Sequence, residues 1–204
     1  MNNTIKIDKK FSGNTNTGHG GYVSGLLAGY LNGAVEVTLR NPPPLEQTLE
    51  IDFNDHNRIR LLNGEQVIAE AQTIEFELDV QQPPSYLEAV EASKKYLESD
   101  PFVTTCFGCG HKRAEGDGLR IFPGQISGQN MVAAAWVPDG SFSNEAGHIK
   151  PKIIWAALDC PGFHALILSG FKLIVTGRMA AHIENHVIPA IVDWSYFATE
   201  YGKM

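Results

Sequence analysis

Residues 19–31 constrain the fold of this chain more than any other segment. They read HGGYVSGLLAGYL, with apolar side chains along one helical stripe and only small residues on the opposite side. Each of the four glycines weakens the helix propensity by about 1 kcal/mol relative to alanine, so the helix depends on tertiary packing. Its small residues would allow a sheet to approach closely. The pattern therefore predicts a helix that is buried on all sides.

Segments in which apolar and polar residues alternate follow this helix. Residues 35–39 and 49–53 both alternate, which predicts two half-buried strands. The pair Asn63-Gly64, with apolar residues before it, is a strong signal for a two-residue hairpin turn. Residues 74–80 alternate again and are predicted to be the returning strand. The first unit is thus expected to be a helix followed by four antiparallel strands.

The order of elements repeats in the second half of the chain. Ser85 and Glu88 form a capping-box signature for a short connector helix. Pro151 suits the first turn of a second apolar helix at residues 153–168. Strands are predicted on both sides of that helix, at residues 118–122, 131–137, 171–180 and 186–197. The repeat is one of architecture, because residue identity between the halves is weak.

These elements predict an α+β fold made of two similar units. The expected boundaries are residues 1–82 for the first unit, 83–101 for the connector helix and 102–204 for the second unit. Each unit is expected to be a central buried helix wrapped by an antiparallel sheet. The second unit is shorter, so the edge of its sheet needs a cover. The strands before its helix, a sheet continuous with the first unit, or a second chain in a homodimer could supply that cover.

Charge and hydropathy argue against several function classes. The net charge of −7 and the pI near 5.5 argue against nucleic-acid binding, which depends on Lys and Arg contacts to phosphates. No apolar run reaches the roughly eighteen residues of a membrane span, and the first residues carry no apolar signal region. A cytoplasmic protein without membrane partners is therefore expected. Its three cysteines are expected to be free thiols.

Asp159 is the sharpest anomaly in the sequence. It is the only formally charged residue between Lys152 and Lys172, inside the second apolar helix. An unpaired buried carboxylate is costly, and a carboxylate in such surroundings is what a catalytic general base or nucleophile needs. Pro161 removes a backbone donor nearby and predicts a kink that could admit water or substrate. The alternative is that Asp159 caps a helix that begins at Pro161.

The sequence His19-Gly20-Gly21 at the start of the first helix is the second candidate site. Helix N-termini present unpaired N–H groups and the positive end of the helix dipole, and glycines let a ligand approach that backbone. An acyl carbonyl oxygen that gains negative charge would be stabilised there. Asn14, Asn16 and His19 are predicted to orient the substrate or a water molecule. The alternative is a glycine-rich helix start with a solvated histidine.

Two segments resemble hotdog-fold acyl-CoA thioesterases. GHGGYVSGLLAG is similar to the HGG helix start of that superfamily, and CFGCGHKRAEGDGLRIF is similar to its CFxCG…GLR segment. The resemblance implies two fused hotdog units, with a site between them built from the HGG backbone of one and an acid of the other. Gly20 and Gly21 would come from the first half and Asp159 from the second. Family members usually carry an acid in the first helix too, where this chain has Ala28 and Gly29.

The function that this resemblance implies is the hydrolysis of an acyl thioester. In this interpretation the two glycine amides polarise the thioester carbonyl, while Asp159 activates water or attacks directly. The substrate is expected to be a coenzyme A derivative. Lys112, Arg113 and Arg120 are the cationic residues that could meet its phosphates, and solvated surface charge is the alternative for them.

Two other functions are compatible with the sequence. Asp159 and His164 stand five positions apart, as in hotdog enoyl hydratases, so His164 is a candidate substrate-binding residue. The surrounding residues do not match that motif, and residues five apart on a helix are rotated by about 140°. A non-catalytic protein that binds acyl groups or other hydrophobic ligands is the alternative outside the enzymes.

The cysteine spacing raises the question of a metal. Cys106 and Cys109 form a C-x-x-C pair, and Cys160 with His111 or His164 could complete a zinc site. A complete second cysteine pair is missing, however, and a turn bracketed by two semi-buried thiols is the simpler interpretation. The sequence therefore predicts no bound metal and no cofactor.

Overall fold

Six strands of the described residues form one antiparallel sheet. The computed structural model describes residues 3–13, 16–55, 57–75, 77, 82–96, 103–168, 170 and 174–183. Its strands, numbered along the chain, are β1 (Thr4–Lys6), β2 (Val35–Leu39), β3 (Thr48–Asp55), β4 (Arg58–Asn63), β5 (Gln66–Thr73), β6 (Gly124–Gln125), β7 (Val132–Ala133) and β8 (Arg178–Ala181). The six-stranded sheet has the order β1-β3-β4-β5-β2-β8, and β6 pairs with β7 separately.

The described residues also form three α-helices. They are α1 (Gly20–Ala28), α2 (Tyr86–Lys94) and α3 (Pro151–Leu168). Short 3-10 turns lie at Lys9–Phe11 and Gly140–Phe142. The protein is thus a mixed α+β fold with an antiparallel sheet, as the sequence predicts. Within the described ranges, none of the helices has both the length and the apolar composition that a membrane span requires.

The predicted strands β2 and β3 are confirmed, and they share a core with α1. Val35 and Val37 of β2, and Leu49 and Ile51 of β3, are buried in one core that includes Val23 of α1. Their neighbours along each strand are more exposed, which is the period-two pattern that predicts them. The edge strand β1 was not predicted, because three residues are too few to show a period.

The hairpin between β4 and β5 forms where the sequence predicts, but its loop lies one residue later. Asn63 ends β4 and pairs with Gln66, so the loop is Gly64-Glu65, with Gly64 at φ 58°. A glycine at the first loop position has no Cβ to oppose that backbone angle. The returning strand is β5, so the prediction of a return at residues 74–80 is wrong. Of that range, residues 76 and 78–80 lie outside the described residues.

Helix α1 is buried as predicted, but its small residues face a helix rather than a sheet. A Cβ on Gly25 would stand 2.6 Å from Lys152 Cα and 2.6 Å from Trp155 Cβ, both on α3. A Cβ on Gly21 would overlap the Trp155 carbonyl oxygen. Residues four apart share one face of a helix, so the two glycines let α1 and α3 cross with their backbones almost in contact. The helix is shorter than predicted, with His19 as its N-cap.

The helix-start signals at Ser85 and Pro151 are confirmed. The Ser85 side chain accepts a hydrogen bond from Glu88 N, and the Glu88 carboxylate accepts one from Ser85 N, which completes the capping box of α2. Helix α3 begins at Pro151 and continues through Pro161. The alternative in which Asp159 caps a new helix at Pro161 is therefore wrong, because Asp159 lies in the middle of α3.

The strand predictions for the second half are correct only in part. Residues 118–122 do not form a strand, because Leu119 N and Ile121 N donate to carbonyls of residues 107 and 108 at 2.8 and 3.0 Å. Those carbonyls belong to the cysteine turn, residues 106–110. Of the predicted strand at 131–137 only β7 forms, and β8 begins near the end of the one predicted at 171–180. Residues 171–173 and 186–197 lie outside the described residues.

Strand β8 joins the two halves of the chain. It pairs antiparallel with β2, from Val35 opposite Ala181 to Thr38 opposite Arg178. A strand that follows α3 thus extends the sheet that covers α1. Of the three predicted covers for a sheet edge, a sheet continuous between the halves is present in the described residues.

Candidate functional site

The start of α1 and the middle of α3 meet at a carboxylate. Asp159 Oδ2 accepts a hydrogen bond from Gly21 N at 2.8 Å, and Thr176 Oγ1 donates to Asp159 Oδ1. The Asp159 side chain is 11% exposed. Because Gly21 belongs to the first predicted half and the other two residues to the second, the contact joins the halves. The predicted convergence of Asp159 with the glycine-rich helix start is present as a direct hydrogen bond.

The local sequence explains why this contact forms. The first amides of an α-helix have no partner within the helix, and the helix dipole favours a negative group near them. Because Gly21 has no side chain, α3 approaches closely enough for Asp159 to reach the amide, and a Cβ on Gly21 would lie 2.7 Å from Asp159 Cβ. The hydrogen bonds from Gly21 N and Thr176 Oγ1 offset the free-energy cost of partly burying the Asp159 carboxylate.

Gly20 borders the same carboxylate. A Cβ placed on Gly20 would lie 3.2 Å from Asp159 Oδ2, 3.1 Å from Thr176 Cβ and 3.2 Å from Leu39 Cδ1. In the part of the chain that the structure describes, Gly20 N has no hydrogen-bond acceptor. The first amide of α1 is therefore without a hydrogen-bond partner among the described residues, at a position that borders Asp159.

His19 is buried between the carboxylate and the cysteines. Its Nδ1 accepts a hydrogen bond from Tyr22 N at 3.3 Å and lies 3.6 Å from Asp159 Oδ2, while its Nε2 lies 3.5 Å from Cys160 Sγ. Burial lowers the pKa of His19, but the Cys106 sulfur and the Asp159 carboxylate together raise it by a larger amount. The pKa of His19 therefore lies above its ordinary value. The side chain is 2% exposed, so the alternative of a solvated histidine is wrong.

Three cysteines cluster next to His19. All three are free and buried. Hydrogen bonds with Cys109 and Cys160 hold the pKa of the Cys106 thiol well below its usual range, against the effect of burial. Hydrogen bonding to Cys106 correspondingly raises the pKa values of Cys109 and Cys160. Gly108 packs against the cluster, since a Cβ there would overlap Cys160 Sγ.

The cationic residues that were predicted to meet phosphates are located around the cysteine turn. Arg113 has a side chain only 10% exposed, and its Nε, Nη1 and Nη2 atoms all donate to neighbouring protein oxygens. Arg120 donates to two backbone carbonyls of the same region. Both guanidinium groups therefore brace the polypeptide beside the cysteines, whereas Lys112 is exposed.

The other predicted binding residues contact different parts of the molecule. His164 is buried, with its ring in edge contact with the rings of Tyr96 and Phe163. Asn16 is exposed and has a φ of 56°. Asn14 lies outside the described residues. Among the described residues, no hydrogen bond or ion pair joins Asn16 to Asp159.

Thr176 and Leu39 border Gly20 and Asp159 but were not predicted from the sequence. Thr176 is separated from Asp159 by 17 positions, in a segment predicted only as a strand. Leu39 ends β2, where its alternation identifies it as a partly buried strand residue. No local motif marks either residue as part of a site, so only the three-dimensional fold identifies them.

Comparisons with known proteins add one distant similarity. No protein-family model matches the chain, and no curated protein matches it. A solved structure similar to this chain is described as a "putative thioesterase II" from Thermobifida fusca YX. The similarity covers 89% of this chain and 76% of that chain, with a TM-score of 0.49 and 11% sequence identity. A similarity this distant carries no argument about this chain.

Proposed function

We propose that this protein hydrolyses an acyl thioester, with an acyl-CoA as the expected substrate, at a composite site between two hotdog-like units. The hydrogen bond from Gly21 N to Asp159 Oδ2 carries the proposal, because it brings together the helix start of the first half and the acid of the second. Gly20, Gly21 and Asp159 are the proposed site residues. His19 supports them as the N-cap of α1.

The arrangement of strands and helices supports the hotdog-like organisation. Strands β1, β3, β4, β5 and β2 form a continuous antiparallel sheet, and α1 lies between β1 and β2 in the chain. In the second half β8 follows α3 as β2 follows α1, and β8 pairs antiparallel with β2. Two similar helix-strand units related by an approximate two-fold axis have this arrangement. We propose units at residues 1–82 and 102–204, with a connector at 83–101 that contains α2.

The start of α1 supplies the electrostatic part of the proposed mechanism. Gly20 N is next to Asp159 at the positive end of the helix dipole, where it can donate to the thioester carbonyl oxygen. A donor aimed at a developing oxyanion typically contributes about 10²–10³-fold in kcat. The Gly21 amide already binds the carboxylate, so it acts as a positioning group.

Asp159 can promote hydrolysis by either of two routes. As a general base it takes a proton from water, the hydroxide adds to the carbonyl carbon, and collapse of the adduct breaks the C–S bond. The thiolate then takes the proton from Asp159, which leaves a carboxylic acid and a thiol. As a nucleophile, Asp159 attacks the carbonyl carbon itself, releases the thiolate and forms a mixed anhydride that water cleaves.

Release of free coenzyme A from a panel of acyl-CoAs tests the proposal. We expect multiple turnovers with at least one short-chain, long-chain or aromatic acyl-CoA, measured by chromatography of the products. Binding of acyl-CoA in calorimetry without any release would make the protein a binding protein. Addition of water to an enoyl-CoA without release of coenzyme A would make it a hydratase. Either of these two outcomes would contradict the proposal.

Replacing Thr176 with valine is expected to lower kcat by about tenfold to a hundredfold, because a hydrogen bond to a charged group contributes about 1.5–3 kcal/mol. Valine has the shape of threonine but lacks the hydroxyl that donates to Asp159 Oδ1. Thr176→Ser keeps that hydroxyl and should retain most of the activity. Equal losses in the two variants, with KM changed as much as kcat, would show that Thr176 contributes packing and does not position the carboxylate.

A further inference from the structure

A second group of reactive atoms lies behind the proposed site and takes no part in the proposed hydrolysis. It consists of His19 Nε2 and the thiols of Cys106, Cys109 and Cys160. The four side chains are between 1% and 6% exposed. It is unusual for a protein core to bring three thiols and an imidazole together. Thiolates and imidazoles are the groups that bind zinc in proteins.

The distances among three members of this group suit a single ion. A ring nitrogen of His19 and the sulfurs of Cys106 and Cys160 all lie within 4.8 Å of one another, and His19 Nε2 is 3.5 Å from Cys160 Sγ. Cys109 is buried in the same cluster of side chains, three positions after Cys106. Neighbouring ligand atoms in a tetrahedral zinc site are about 3.5–3.8 Å apart, given Zn–S and Zn–N bonds of about 2.3 and 2.0 Å. A small contraction would therefore bring His19, Cys106 and Cys160 to coordination geometry, and Cys109 is the remaining candidate ligand, in the same turn as Cys106.

Three separate elements hold these ligands in place. Cys106 and Cys109 lie in the cysteine turn, which Gly110 N closes by donating to Cys106 O at 2.9 Å. Their C-x-x-C spacing is typical of a zinc-binding pair. Cys160 is on α3, and His19 caps α1. Gly108, between the paired cysteines, lets the turn approach the other two ligands, because a Cβ there would lie 2.8 Å from His19 Nε2.

We propose that His19, Cys106, Cys109 and Cys160 bind one zinc ion, through His19 Nε2 and three thiolates. Three cysteines and one histidine are a ligand set of closed, structural zinc sites. The ion would tie the cysteine turn to α1 and α3, and it would leave no open position for a substrate. Three thiolates and Zn²⁺ carry a net charge of −1, and the guanidinium of Arg113, 6.0 Å from the centre of the Phe107 ring, is a cation beside the turn.

The surroundings of His19 also suit a metal ligand. A histidine that binds metal through one nitrogen usually donates its other ring N–H to a carboxylate or a carbonyl. His19 Nδ1 lies 3.6 Å from Asp159 Oδ2, so a proton on Nδ1 would point toward that carboxylate. The hydrogen bond of 3.3 Å from Tyr22 N to Nδ1 would then be lost. The zinc ion would thereby also fix the imidazole behind the proposed catalytic carboxylate.

The proposal replaces the expectation of no metal that the sequence favoured. That expectation depended on the missing second cysteine pair and on His111 or His164 as the fourth ligand. The second pair is instead formed by Cys160 and His19, which are 141 positions apart in the chain. No spacing rule connects two residues at such a distance.

Zinc analysis of the protein, purified under reducing conditions without chelator, tests the proposal. We expect about one zinc ion per chain, and we expect Cys106→Ser to bind zinc at least about tenfold more weakly. His111→Ala is the matched control, because it removes a histidine next to the cysteine turn that is outside the proposed ligand set. It should leave the zinc content unchanged. A reduced chain that takes up no zinc when one equivalent is supplied would overturn the assignment.

X-ray absorption at the zinc edge of the unmodified protein keeps the proposal testable if Cys106→Ser does not fold. The expected first shell is three sulfurs at about 2.3 Å and one nitrogen at about 2.0 Å. A shell of nitrogen and oxygen ligands only would place the ion elsewhere and contradict the proposal. So would equal losses of zinc in His111→Ala and Cys106→Ser.

Discussion

Replacing Gly25 with alanine is expected to lower the free energy of unfolding by about 1–3 kcal/mol. The added Cβ would stand 2.6 Å from Lys152 Cα and 2.6 Å from Trp155 Cβ, and neither atom can move away by rotating a side chain. The helices α1 and α3 would have to separate, and Trp155, which is 3% exposed, would lose contacts in the core. The better helix propensity of alanine, about 1 kcal/mol, offsets only part of this loss.

Thermal or urea unfolding followed by circular dichroism measures this effect. For a chain of this size, 1 kcal/mol corresponds to about 2–4 °C in Tm. Gly29→Ala is the matched control on the same helix, because its Cβ would have no neighbour closer than 3.5 Å and its φ is −64°. That variant should change the stability by about 0.5 kcal/mol or less. If both variants are equally stable, α1 and α3 do not cross as closely as described.

Replacing Asp159 with asparagine is expected to lower kcat for thioester hydrolysis by about 10²–10⁴-fold. Asparagine has nearly the same shape, and its amide oxygen can still accept the hydrogen bond from Gly21 N. The amide, however, can neither take a proton from water nor attack a carbonyl carbon. Because the hydrogen bond to α1 is retained, KM and the stability should change little. Initial rates of coenzyme A release at saturating acyl-CoA measure the loss.

Asp139→Asn is the matched control for this substitution. Asp139 is exposed and caps a 3-10 turn, where its Oδ1 accepts a hydrogen bond from Ser141 N at 2.8 Å. Asparagine is about as good an N-cap as aspartate, so both the activity and the stability should be retained. If kcat of Asp159→Asn falls by less than about tenfold, Asp159 is neither the general base nor the nucleophile, because general acid–base catalysis typically contributes more than that. A rise in KM alone would make it a binding residue.

The parts of the fold that the sequence predicts correctly are those set by neighbouring residues. The capping box of α2 needs only Ser85 and Glu88, and the start of α3 needs only Pro151 before an apolar run. Strands β2 and β3 follow from alternation alone. In each case the physical cause acts within a few residues, so the sequence contains the whole signal.

Residues 118–122 show where local pattern fails. Their apolar residues alternate as in a strand, and Leu119 and Ile121 are buried in the core with α3. Their amides nevertheless bond to the cysteine turn and not to a neighbouring strand. Alternation reports which side chains are buried, but it does not report which carbonyls accept the backbone hydrogen bonds.

The candidate site depends on contacts between distant segments. Asp159 and the glycines of α1 were paired by resemblance to a family, since their separation of 138 positions has no local signal. Thr176 was missed for the same reason. Cys160 was considered as a zinc ligand only with His111 or His164, and His19 was predicted to orient the substrate or a water molecule. Only the crossing of α1 and α3 brings Cys160 and His19 together. Sequence reasoning found the unusual residues but not their partners.

The position of an acyl-CoA bound to the Asp159→Asn protein tests the central claim most directly. This variant is expected to bind the thioester without cleaving it, so that a crystal structure can locate the intact acyl group. We expect the thioester carbonyl oxygen to lie about 2.7–3.2 Å from Gly20 N, with the carbonyl carbon facing the side chain at position 159. An acyl-CoA bound away from the start of α1, with its carbonyl out of reach of Gly20 N, would contradict it.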